Sequence, residues 1–317
     1  MVATAVDLSE LLDGLTQTLL TERAERERRV LASLGALAPT ARLAGTEGTP
    51  DAFDTAILHH AFQQAQLAVR TRDAERARRA LRLWQERDRL RRRAVPTAVG
   101  PVLVVRAADC AEVEDGRLGS RMFLLEDPVP EVPREMARTL NEAVDAALAV
   151  GSDVLRSSTA VVIWTEVRSL EETCRSYTFD FLPGSVVLNW TEEPLRLAET
   201  LVHEATHSWL NESLAAENVV LPEDVSFHSP WKNEERPAFG IVHAALAFAH
   251  VIAYLSRIQP APEDTSPLAN VLRHRLADEL RSLESGREAA LKCFELVGSA
   301  ELRTYLEAAV AAARHAA

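Results

Sequence analysis

The amino-acid sequence predicts an α+β fold, predominantly α. A helical N-terminal part, residues 1–95, precedes a mixed α/β part, residues 96–317, that closes on further helices. Three observations point there. Ala, Leu and Arg abound, and all three favour helix. Residues 52–93 carry apolar side chains at three-to-four spacing, among them Ile57, Leu58, Phe62, Ala65 and Leu67, which is the period of an amphipathic helix. After "RRRAVPTAVGP" the texture changes to short β-branched runs, which read as strands.

Taken in order, residues 5–38 and 52–93 are expected to be helical. The stretch between, "APTARLAGTEGTP", is punctuated by Gly and Pro and is expected to be a loop. His59 and His60 are adjacent, so on a helix they point to different faces and read as core or surface residues, not as ligands. The seam between the two parts is "RAVPTAVGP". "VLVVRA" (102–107) and "RMFLLE" (121–126) follow as strands. "PREMARTLNEAVDAALAVGSD" (133–153) reads as a helix with Pro at its start. "STAVVIWTEV" (158–167) is another strand. "RSYTFDF" and "GSVVLNW" flank Leu182-Pro183-Gly184 and form a hairpin-like pair. A helix entered through Thr191 and Pro194 comes next. After a loop, "RPAFGIVHAALAFAHVIAYL" gives a second helix, and two or three more finish the chain.

Composition bounds the function classes. The chain has 317 residues, with hydrophobic residues at 47% and charged residues at 26%, as in an ordinary globular protein. Cys110, Cys174 and Cys293 are an odd number, far apart and without a C-x-x-C pair. This argues for a reducing cytoplasm and against a disulfide framework. The first residues carry acids and no basic region, so no signal peptide is expected. No apolar run is expected to reach a membrane span. Net charge is −12, yet residues 66–93 hold eleven Arg against four acids. Such a segment is either a solvated helix face laced with Glu/Arg pairs or a docking surface for an acidic partner such as a peptide. Nucleic acid is disfavoured by the acidic balance and by aromatics at only 5%.

The chemistry-bearing stretch is "LAETLVHEATHSWLNESL" (197–214). His203 and His207 are four apart, so a helix presents both imidazoles on one face to one metal ion. Glu204 lies between them in sequence. The helix also follows a hairpin, as in zincin-like folds. A third ligand is required. The metzincin pattern would require Gly at 210 and His at 213; this chain has Leu210 and Ser213, which excludes that class. Glu223, Glu234 and Glu235 lie in or beside the loop that follows. The next helix offers His243, central among small apolar residues, and His250 two turns on. His243 is the preferred third ligand, with His228 and Glu235 as alternatives. His250 reads as a core histidine.

Together, the His-Glu-x-x-His helix, Ser229-Pro230-Trp231, Arg236-Pro237, His243 and the preceding "LPGSVVLNW" resemble the HExxH-motif proteins of peptide natural-product clusters. The resemblance covers about residues 175–255. Those proteins are described as iron(II)- and α-ketoglutarate-dependent peptide β-hydroxylases. The resemblance implies Fe(II) on His203, His207 and His243, with open positions for α-ketoglutarate and O2. It implies a ribosomally made precursor peptide as substrate, and hydroxylation of a side chain at the β carbon. Arg236 would then hold the distal carboxylate of α-ketoglutarate through its fork, seven residues before His243 and two helical turns away, with Lys232 as a second anchor. Glu204 would orient a ligand or position substrate. The competing expectation is a Zn(II) peptidase, in which Glu204 is the general base that activates water.

Overall fold

A computed structural model describes residues 8–36, 50–114 and 121–315. The fold is mixed α/β and mostly helical, 62% helix against 16% strand. Four helices come first: α1 (Leu8–Ala36), α2 (Ala52–Thr71), α3 (Ala74–Gln85) and α4 (Arg87–Arg93). The strands and central helices follow: β1 (Val95–Thr97), β2 (Gly100–Arg106), β3 (Cys110–Glu114), β4 (Arg121–Leu125), α5 (Arg134–Ala149), α6 (Val154–Ser158), β5 (Val161–Arg168), β6 (Ser176–Thr178) and β7 (Ser185–Thr191). The chain ends with α7 (Pro194–Ala216), the hairpin β8 (Ser226–Ser229) and β9 (Glu234–Pro237), then α8 (Ala238–Arg257), α9 (Pro267–Phe294) and α10 (Ala300–His315).

The five-stranded sheet runs in the order β1-β2-β5-β7-β6. Its three central strands are parallel, and β1 and β6 are antiparallel edges. Central strands buried on both faces are near-continuous apolar runs, as in "VLVV" and, apart from the buried Ser185 and Asn189, "SVVLNW". The alternation sorts side chains, not polarity. Val102, Val104, Val162, Val186 and Leu188 face a core shared with α5, α7, α8, α9 and α10. Leu103, Val105, Val161, Ile163 and Val187 face a second core built with Phe53, Ile57, Leu83, Trp84 and Leu90 of α2, α3 and α4. So α2, α3 and α4 cover one face of the sheet, while α1 reaches both cores, Leu34 in the second and Leu15 and Leu19 in the first. The seam expected at "RAVPTAVGP" is itself a hairpin, with Val95 paired to Val102.

Some expectations need correction. Residues 52–93 are three helices, not one. Arg72 adopts a left-handed conformation at the end of α2 (φ 54°), and Asp73 restarts the chain by accepting from the Arg76 N–H. β3 and the β8–β9 hairpin were not expected; their sequences are polar or mixed and carry no strand period. The loop expected over 38–50 lies, apart from Pro50, outside the described residues, as do residues 1–7. α8 does have the length and mean hydropathy of a membrane span, against expectation, but 67% of that window is buried. It is a core helix packed against α7, α9 and α10.

α7 is buried nearly all round. Its far end is pinned to α1, where Arg23 Nε and Nη2 donate to Glu212 at 3.0 and 2.7 Å and Arg26 adds a further bond at 2.7 Å. Its start is set by Glu193, whose carboxylate accepts from the Leu195 N–H, with Pro194 at the first helical position. The motif therefore sits mid-helix, where neither end frays.

The arginines of 66–93 are largely engaged within the fold. Arg78 and Arg82 pair with Glu75, Arg79 with Glu126, Arg89 with Glu86 and Asp127, and Arg91 with Asp51 and Asp54. Arg87 lies 4.4 Å over the Trp84 ring.

Candidate metal centre

His203 and His207 project from one face of α7, with Nε2 atoms 3.1 Å apart. Their rings are perpendicular, 4.6 Å between centroids. α8 crosses beside them and brings His243, whose Nδ1 is 3.1 Å from His207 Nδ1. The three rings thus form a chain with His207 in the middle. Among the described residues, no group of three or more His, Cys, Asp or Glu side chains stands as a ready-made cage for an ion. His207 turns Nε2 to His203 and Nδ1 to His243, so the three rings do not converge on one point as placed. The donor types themselves are those of a metal site. Burial holds all three imidazoles below their ordinary pKa, His203 at about 4 with help from the charges of Arg275 and Lys232, and His207 and His243 well below. Neutral imidazoles keep the lone pairs that metals need. His243 Nε2 is buried and has no partner among the described residues, so one donor stands spare.

The rings open on a cavity of about 520 Å3. Ser176 to Asp180 form one wall, and Lys232, Arg236, Phe239 and Gly240 another. Glu204 lines it too. Its carboxyl is buried, its Oε2 has no partner among the described residues, and its Oε1 is 3.9 Å from His203 Nε2. Burial pushes it up to about 7, partly opposed by a hydrogen bond with Ser176 and the charge of Lys232.

The remaining candidates separate by strand alternation. In the β8–β9 hairpin His228 pairs with Glu235 and Phe227 with Arg236. Ser229 and Arg236 line the cavity, whereas His228 and Glu235 fall on the opposite face and are exposed. Glu223 is exposed in the preceding loop. Neither His228 nor Glu235 is brought to the imidazoles. Arg236 is not on the helix, as expected, but on β9. It reaches the cavity by folding over Gly240, and pairs with Glu234 at 3.1 Å. Lys232 is exposed on the cavity rim. His250 bonds to the Tyr305 hydroxyl at 2.8 Å, away from the site.

Sequence reasoning missed the support around His203. Phe248 lies 4.8 Å from the His203 ring, and Trp231 stacks on Phe248 at 5.1 Å. The Trp231 N–H donates to Glu279 of α9. Glu279 and Glu199 clasp Arg275, and Glu199 also bonds Arg196. Glu199 lies one turn before His203, so its face was readable from the helical period. Its α9 partner, Arg275, is 76 residues distant in sequence, and no local pattern announces it.

No protein-family model matches this chain, and a search of curated proteins finds no match either.

Proposed function

We propose that this protein is a metal-dependent oxygenase that hydroxylates a peptide side chain at the β carbon during natural-product peptide maturation. The observation that carries the reading is the meeting of three neutral imidazoles, from α7 and α8, in a cavity walled by two cations. His203, His207 and His243 would hold iron(II), and bound iron(II) would supply O2 activation, with α-ketoglutarate leaving as succinate and CO2. Three histidines leave positions open for co-substrate, as a non-haem site requires. Lys232 and Arg236 provide the charge that holds a dicarboxylate, Arg236 through its fork. Phe239 and Phe248 line the cavity with apolar surface and limit water. Glu204, with one oxygen unpartnered, accepts a hydrogen bond from substrate. β6, an antiparallel edge strand beside the motif helix, supports a zincin-like architecture. The partner in this reading is a ribosomally made precursor peptide, and three free cysteines suit a reducing cytoplasm.

A second reading rests on Glu204 itself. A buried carboxyl at about 7, beside two histidines, is matched to a general base at neutral pH. With Zn(II) it would activate water in a peptidase. The experiment is mass spectrometry of a peptide encoded beside this protein's gene, incubated aerobically with the protein. A one-oxygen gain that requires Fe(II) and α-ketoglutarate supports the oxygenase. Fragments formed with Zn(II) alone, and lost in Glu204→Gln, establish the peptidase.

A further inference from the structure

Behind His203, on the side away from Lys232 and Arg236, lies a second chamber of about 240 Å3. His203, Ser176 and Phe248 border both spaces. The inner end of this chamber is built from charge: Arg196 and Glu199 of α7 and Arg275 of α9. A buried ion cluster next to a reactive centre is costly unless every member is held or a ligand completes it.

The bonding is one-sided. Arg275 donates from Nε and Nη2 to Glu199 Oε1 at 2.9 and 2.8 Å, and Nη2 also meets Glu279 Oε1 at 2.7 Å. This fixes one edge of its guanidinium. Nη1 has no bonded protein partner among the described residues, and the side chain is 34% exposed. Arg196 is held by Glu199 through Nη1, while its Nε is buried without a partner among the described residues. Its side chain is 9% exposed. Of the other acids in the lining, Glu172 is engaged by Arg168 and Ser169 at 2.8 to 2.9 Å, and Glu171 is exposed. Burial and the charge of Glu199 raise the Glu279 pKa, opposed by Arg275 and the Trp231 N–H. Glu279 stays on the locked edge of Arg275 and does not reach its Nη1.

We propose that this chamber is a carboxylate-binding subsite, in which the free edge of Arg275, backed by Arg196, receives a carboxylate held beside His203. An arginine with one edge locked offers its other edge at little entropic cost. The volume of about 240 Å3 admits a side chain or a small dicarboxylate. Two ligands share this chemistry: an Asp or Glu side chain of the peptide substrate, and the distal end of α-ketoglutarate. The subsite itself does not depend on the proposed reaction; only the choice between these ligands rests on it.

Binding is measured by calorimetry with three probes: α-ketoglutarate, an N-acetyl aspartate methylamide and the matching asparagine compound. Metal-free and Zn(II)-loaded protein are both used, so a failure of the oxygenase reading leaves the result intact. Arg275→Gln removes the fork, and Val271→Phe, one turn earlier on α9, fills the chamber without touching the ion cluster. A loss of about tenfold or more in carboxylate affinity in both variants, with no binding of the asparagine compound, is expected. If the aspartate probe is lost and α-ketoglutarate is not, the subsite takes the substrate. If α-ketoglutarate is lost in Arg275→Gln and kept in Arg236→Gln, it takes the co-substrate. Should Arg275→Gln fail to fold, Val271→Phe carries the comparison. Unchanged affinity for both carboxylates in Val271→Phe overturns the proposal.

Discussion

Trp231 lies flat on Phe248, ring planes 5° apart and centroids at 5.1 Å, and Phe248 in turn touches the His203 ring. The Ser-Pro-Trp turn is thus a prop for a candidate ligand. Pro230 and Trp231 close against Gly286 of α9, where an added Cβ would meet Pro230 at 3.0 Å. Trp231→Ala is expected to weaken metal binding by about tenfold, as loss of a support around a ligand does. Trp231→Phe, which keeps a ring in the stack, is expected to retain most of it. Competition against a chelator on folded protein gives the constants, and equal affinities in the two variants would remove Trp231 from this role.

Arg236 and Gly240 make a linked pair. A Cβ at position 240 would stand 3.2 Å from Arg236 Nε, so Gly240→Ala should push the guanidinium aside. Both Gly240→Ala and Arg236→Ala are expected to raise the α-ketoglutarate requirement while metal content stays near that of the parent. The Arg236 side chain is 42% exposed, so solvent screens part of the loss, which should be about 1 kcal/mol or somewhat more. Steady-state assays across co-substrate concentration read this. A rise confined to Lys232→Ala would move the anchor to the lysine.

Glu212 joins α7 to α1 through two arginines, with side chains of Arg23 and Glu212 only 1% and 3% exposed. Glu212→Ala strands buried positive charge, and breaking one partner of such a pair costs about 3–5 kcal/mol. Urea unfolding should show that loss. A change under about 1 kcal/mol would mean that water reaches and solvates the arginines.

His60 sets an acid limit. Its Nδ1 accepts from the Leu125 N–H at 3.3 Å and its Nε2 lies 3.2 Å from the Ser185 hydroxyl. This is the neutral tautomer, and burial lowers its pKa to about 3. The unfolded chain takes up a proton below about 6.5, where the folded chain does not. Stability from this group is therefore complete above that pH and falls as pH drops toward 3. The slope is up to about 1.4 kcal/mol per unit. His60→Gln should be less stable at pH 7 yet flatten the profile between 4 and 6. A parallel profile would show that His60 titrates normally in the fold.

The motif was legible because its meaning is local: four residues make one helical turn, so His203 and His207 had to share a face. The central strands were legible because parallel strands buried on both sides leave continuous apolar runs. What stayed hidden depends on long-range packing. The pairing of Phe227 with Arg236 turns a polar loop into a hairpin, and only that register separates Ser229 and Arg236, in the cavity, from His228 and Glu235, outside it. The clasp on Arg275 joins α7 to α9, and α2 to α4 cover a sheet that begins only at residue 95. Neither leaves a periodic trace.

The most direct test of the central claim is anaerobic titration. Fe(II), then α-ketoglutarate, is added to the purified protein while its visible absorption is followed. The account predicts one equivalent of iron and a charge-transfer band that rises with α-ketoglutarate and is absent in His243→Ala. Tight Zn(II) binding with no band on Fe(II) and α-ketoglutarate, together with full iron binding in His243→Ala, would contradict it.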